Sequence, residues 1–69
     1  MQEFKLSKFD FIELNKLMKI LNWVNSGGEA NIMITEGEVF LNDQVETRKR
    51  KKVRKGDQVR FLEHHAIII

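Results

Sequence analysis

Residues 26–46 read SGGEANIMITEGEVFLNDQVE, and one change of period inside this stretch decides the fold. Ser26 followed three positions later by Glu29 is a capping-box pattern: the hydroxyl accepts from an orphan amide of the first helical turn, and the carboxylate reaches back to another. Ala30, Met33 and Ile34 then keep the i, i+3, i+4 spacing of one helical face, and Gly37 supplies the positive φ that ends many helices. From Glu38 the period drops to two. Val39 and Leu41 alternate with Glu38 and Phe40, so the chain becomes a strand. Asn42-Asp43 is a turn pair, and Gln44-Val45-Glu46 returns to complete a hairpin.

Upstream, Glu3 to Leu6 alternates polar and apolar residues as a short half-buried strand. Asp10 is the expected N-cap of a first helix whose apolar positions Leu14, Leu17, Met18 and Leu21 share one face, with Ile20, Trp23 and Val24 widening the apolar side. Downstream, Gly56-Asp57 marks a turn before a strand over Gln58–Leu62, and Ala66–Ile69 is an apolar run that would promote aggregation unless buried as a last strand. The whole reads as an α+β fold: two helices packed on a small sheet of about four or five strands. Its 69 residues make one domain, 1–69, with room for one core.

Between hairpin and turn lies Arg48-Lys49-Arg50-Lys51-Lys52-Val53-Arg54-Lys55, seven basic residues in eight. The formal net charge of the chain is only +2, yet the remaining 61 residues carry 5 basic and 10 acidic groups and a net −5. Charge segregated in this way repels itself unless a polyanion neutralises it, so the distribution implies a partner more strongly than the total does.

Other classes find little support. Without cysteine there is no disulfide framework or cysteine-based zinc site, which fits a cytoplasmic protein without demanding one. No signal peptide is expected, and no window approaches the ~20 apolar residues that span a bilayer. No Ser-His-Asp order, phosphate loop or paired-carboxylate constellation is present, so the chain reads as a non-enzyme with no cofactor and no small-molecule substrate. His64 and His65 are adjacent, point to opposite sides of a strand and have no third ligand at a metal spacing; they read as turn or surface residues. Trp23 and the phenylalanines read as core, and Phe40 falls on the opposite strand face if Val39 and Leu41 point inward.

The ordered set of a leucine-patterned helix, Ser26-Gly27-Gly28-Glu29-Ala30, Glu36-Gly37-Glu38-Val39, Leu41 to Arg48 and Lys55-Gly56-Asp57-Gln58-Val59 resembles the S-four RNA-binding domain, or alpha-L motif. More narrowly it resembles the small stand-alone bacterial proteins of the YbcJ and YaaA type. The likeness covers about Ile12 to Phe61. It implies an RNA-binding surface made of the exposed face of the second helix and the strand-loop region after it, used on ribosomal or transfer RNA by many members. Where that family often has arginine after the serine, this chain has Gly27, which shifts affinity toward the basic segment.

The expected RNA-binding residues are therefore Ser26, Gly27, Gly28 and Asn31 at the second helix, and Arg48, Lys49, Arg50, Lys51, Lys52, Arg54 and Lys55 in the basic segment. Each Lys or Arg brought to a phosphate releases condensed counterions, and arginine adds a planar fork. The helix opening offers backbone amides at its positive end, although Glu29 competes there with a phosphate. The expected partner is structured RNA, ribosomal or transfer, bound by a monomer. The alternatives are DNA, or an acidic protein patch met by an adaptor, for which the same charges would serve.

Overall fold

The computed structural model describes residues 1–69. In chain order its elements are β1 (Gln2–Phe4), β2 (Ile12–Glu13), α1 (Leu14–Ile20), α2 (Gly27–Thr35), β3 (Val39–Leu41), β4 (Gln44–Val45), β5 (Lys52–Val53), β6 (Gln58–Phe61) and β7 (His64–Ile68). Five strands form a mixed sheet in the order β1-β7-β6-β3-β4, in which β1 runs parallel to β7 and the other pairs are antiparallel. A second, two-stranded sheet pairs Ile12 with Val53 and Glu13 with Lys52.

Alternation decides which sheet face is covered. Val39, Leu41, Val59, Phe61, Ala66 and Ile68 point inward and meet Leu14, Leu17 and Met18 of α1 and Ala30 and Ile34 of α2. Burying an aliphatic side chain of this size contributes about 1.5–3 kcal/mol, so a cluster of 15 residues supplies the stability that disulfides give other domains of this length. Phe40 points the other way, under the Arg60 guanidinium 4.3 Å from its ring centre. Trp23 is buried and its Nε1 donates to Gln2 Oε1 at 3.1 Å, which fits core packing.

Several sequence expectations need correction. Asp10 does not cap α1, which starts at Leu14 with Glu13 as an N-cap that makes no side-chain hydrogen bond. Ile12 is strand rather than helix, and the amides of Leu14 and Asn15 donate instead to the carbonyls of Lys51 at 2.9 Å and Lys49 at 3.1 Å. The orphan amides of a helix start donate to any well-placed acceptor. Here it is a distant segment of chain.

The last strand begins at His64, not Ala66, so the histidines lie in β7; the His64 ring stacks on Trp23, 5.3 Å between centres. The phenylalanines do not share one role: Phe61 is core and Phe4 packs against it, whereas Phe9 and Phe11 belong to neither group. Within the basic segment Lys52–Val53 forms β5, and Val53 is fully buried.

Candidate nucleic-acid interface

Three anchors shape the basic segment. At its start, the buried Glu46 carboxylate takes the Arg48 backbone amide at 3.0 Å, Nε at 2.9 Å and Nη2 at 3.1 Å. These bonds hold Glu46 below its ordinary carboxylate value, against desolvation that raises it, and push the Arg48 guanidinium up. In the middle, Val53 enters the core and β5 pairs with β2. At the end, Asp57 Oδ2 accepts from the Arg54 amide at 2.8 Å while its Oδ1 accepts from Asn42 Nδ2 at 3.0 Å.

The last anchor joins the two turns that bracket the segment in sequence. Asn42 Oδ1 also accepts from the Gln58 amide at 2.9 Å, so the hairpin turn and the Gly56-Asp57 turn are fastened together. Both turns carry residues in the left-handed region, at Asn42 (φ 51°), Asp43 (φ 68°) and Gly56 (φ 95°). A flexible basic tail would show none of these constraints.

With the backbone pinned, Arg48, Arg50, Lys51, Lys52 and Arg54 line one shallow depression that contains no acidic or apolar residue. Lys49 contributes its carbonyl to the start of α1, and Lys55 lies away from the depression, beside Lys5 and Ile69.

Asn31 of α2 joins the same region through a residue the sequence reading missed. Asn15 Nδ2 donates to Asn31 Oδ1 at 3.0 Å, and the Asn15 amide donates to the Lys49 carbonyl, so one asparagine ties α2 to the basic segment across α1. A polar residue in a first helical turn carries no local sign of such a role. Phe11 was missed in the same way: Lys52 Nζ sits 4.9 Å and the Arg54 guanidinium carbon 5.6 Å from its ring centre.

Ser26 caps α2 as its position implies, its Oγ accepting from the Glu29 amide at 3.1 Å. Glu29 reaches one residue beyond the cap, to the Asn25 amide at 2.7 Å. The fold does not require glycine at 27 or 28. Neither has a positive φ, a Cβ at Gly27 would meet nothing within 4 Å, and at Gly28 it would meet only Ser26 Oγ at 3.8 Å.

No three His, Asp or Glu side chains are grouped to hold a metal ion, and no helix is long and apolar enough to cross a membrane.

The chain and its fold are similar to known proteins. The chain is 41% identical over 69 residues to YbcJ of Escherichia coli (strain K12), covering all of this chain and 99% of that one. It is 34% identical over 50 residues to the "Probable ribosome maturation protein RlbA" of Bacillus subtilis (strain 168), covering 72% of this chain and 70% of that one. The solution structure of YbcJ from E. coli, described as revealing an alphaL motif involved in RNA-binding, matches all of this chain and 87% of its own with a TM-score of 0.77 at 40% identity. The S4 domain family matches residues 4–69. From two helices on a five-stranded sheet, a pinned basic segment and these likenesses, the chain belongs to the S4 domain family.

Proposed function

We propose that this chain is a non-catalytic module, a single S-four-like domain, that binds structured RNA, ribosomal or transfer, in the cytoplasm as a monomer. The observation that carries the reading is the convergence of Arg48, Arg50, Lys51, Lys52 and Arg54 on one depression whose lining holds no acid, with only Arg48 paired, to Glu46 beside it. Asn31 adds a hydrogen-bonding amide beside them, and Ser26, Gly27 and Gly28 an open helix start one turn earlier. Lys49 and Lys55 add to the positive charge of the same segment. The YbcJ structure's description as an RNA-binding motif and the ribosome maturation name of RlbA support both the nucleic acid and the ribosomal setting.

Recognition of this kind works mainly through phosphates and the shape of the RNA. With four to six phosphates contacted, log affinity should fall against log salt with a slope of roughly −3 to −5. Replacing Arg48, Lys49, Arg50 and Lys51 together by alanine should remove most of that slope. A flat salt response, or unchanged binding in the fourfold variant, would refute the reading. Competition with DNA of the same sequence tests the choice of nucleic acid. A stoichiometric protein partner that survives nuclease would favour an adaptor instead.

A further inference from the structure

Beside the basic depression lies an apolar groove that the fold uses only on its inner side, where Leu6 belongs to the core and Phe4 and Ile12 pack against it. Phe4, Leu6, Phe9, Phe11, Ile12 and Ile20 supply its apolar walls. Phe9 is 74% exposed, the most exposed of the large apolar side chains, and neither it nor Phe11 packs against the core. Phe9 is nevertheless presented by a defined turn. Its amide donates to the Leu6 carbonyl at 3.3 Å, the Leu6 amide donates to the Ile69 carbonyl at 3.0 Å, and Ser7 between them takes a left-handed φ of 63°.

The groove and the depression share a wall. Lys52 and Arg54 line the depression and also lie over the Phe11 ring, because pairing of Ile12 with Val53 sets Phe11 opposite Arg54. Lys5, Lys8 and Lys16 add cations around the groove, where the acids are Asp10 and Glu13, the latter engaged by Lys16 at 3.6 Å. An apolar slot with aromatic faces and a surplus of positive charge complements a ligand that is itself a flat ring on an anionic backbone.

We infer that this groove holds an unpaired nucleobase, stacked on Phe9 and Phe11, of the RNA whose phosphates lie on the basic depression. The inference rests on the reading of the basic segment as an RNA surface and adds to it a preference: RNA with a bulged or looped-out base binds better than a continuous duplex. Stacking on an aromatic side chain is tolerant of base identity, so the groove selects unpaired structure rather than sequence.

Ultraviolet crosslinking of the full chain to fragmented total bacterial RNA, followed by mass spectrometry of tryptic peptides, tests it. Cleavage after Lys8 and Lys16 releases Phe9–Lys16, a peptide that holds both phenylalanines and none of the basic segment. The expected result is a nucleotide adduct on that peptide. In parallel, Phe9→Ala and Phe11→Leu should each weaken binding of the same RNA roughly fivefold or more, and Phe9→Trp should restore it, all with the salt slope unchanged. Support requires both the adduct and the weakening. If binding is salt-dependent but either sign is missing, the base-stacking site is wrong and the basic surface stands. If no salt-dependent RNA binding occurs, both fall.

Discussion

Glu46 accepts three hydrogen bonds from a single residue, Arg48, through both carboxylate oxygens. The carboxylate is buried and the arginine is largely exposed, so a fixed acid orients the first cation of the basic surface. The neutralisation is local, because no other residue of the segment has a salt-bridge partner.

That pair makes stability depend on pH with a definite sign. The folded-state value of Glu46 lies below its ordinary 4.5, so the unfolded chain binds more protons in that range. The contribution is complete above the ordinary value and is lost as pH falls through the folded one. Wild type should exceed Glu46→Gln in unfolding midpoint at neutral pH, and the gap should narrow on acidification. A gap constant with pH in thermal melts would show that ionisation of Glu46 plays no part.

Val53 is the one uncharged residue of the basic segment and the one that enters the core. Val53→Ala should lower stability in urea by about 2 kcal/mol through lost burial and the cavity left behind. It should also weaken RNA binding although no charge changes. The fourfold alanine variant of Arg48 to Lys51 should do the reverse, leaving the core packed, losing only the stability that the Arg48 side chain lends Glu46, and losing affinity.

Asn15 couples α2 to the basic segment through its side chain and its amide. Asn15→Ala should cost about 1 kcal/mol in urea unfolding, the usual net contribution of such a hydrogen bond. Asn15→Asp retains an acceptor for the Lys16 amide but no donor for Asn31, so it should recover only part of the loss. Full recovery would assign Asn15 a capping role alone.

Gly27 and Asn31 are four residues apart on α2 and so share a face, and the space beyond Gly27 is open. Gly27→Arg should therefore bring a new cation to the proposed interface. RNA affinity should rise, and the salt slope should steepen by roughly 0.7–0.9, the increment for one phosphate contact. Titrations at several salt concentrations measure both. Higher affinity at an unchanged slope would point to something other than a phosphate.

How much of this was legible in the sequence follows from how local each signal is. Ser26 with Glu29, the inward set Val39 and Leu41, and the turns at Asn42-Asp43 and Gly56-Asp57 all act within a few residues, and the structure contains each of them. The start of α1 was misplaced because its amides are satisfied by Lys49 and Lys51, more than thirty residues away, while Asp10 offered a plausible local acceptor. The same distance hid β2 and β5: two residues in each strand are too few to show a period. In the candidate site the run of basic residues is visible, but nothing local marks Glu46, Asn15 or the Asp57 side chain as its fixtures.

The parallel pairing of β1 with β7 sets Gln2 beside Ala66, and this governs the order in which a growing chain can be completed. At roughly 5–20 residues per second, β1 waits about 3–13 seconds after synthesis for its partner. Gln2, Glu3 and Lys5 suit that interval, since polar and charged residues discourage an unpaired edge from recruiting a neighbour. The basic segment precedes β7 in the chain, so its cations are made before the strand that closes the sheet. A chain that stops short of β7 leaves β1 without the strand it pairs with.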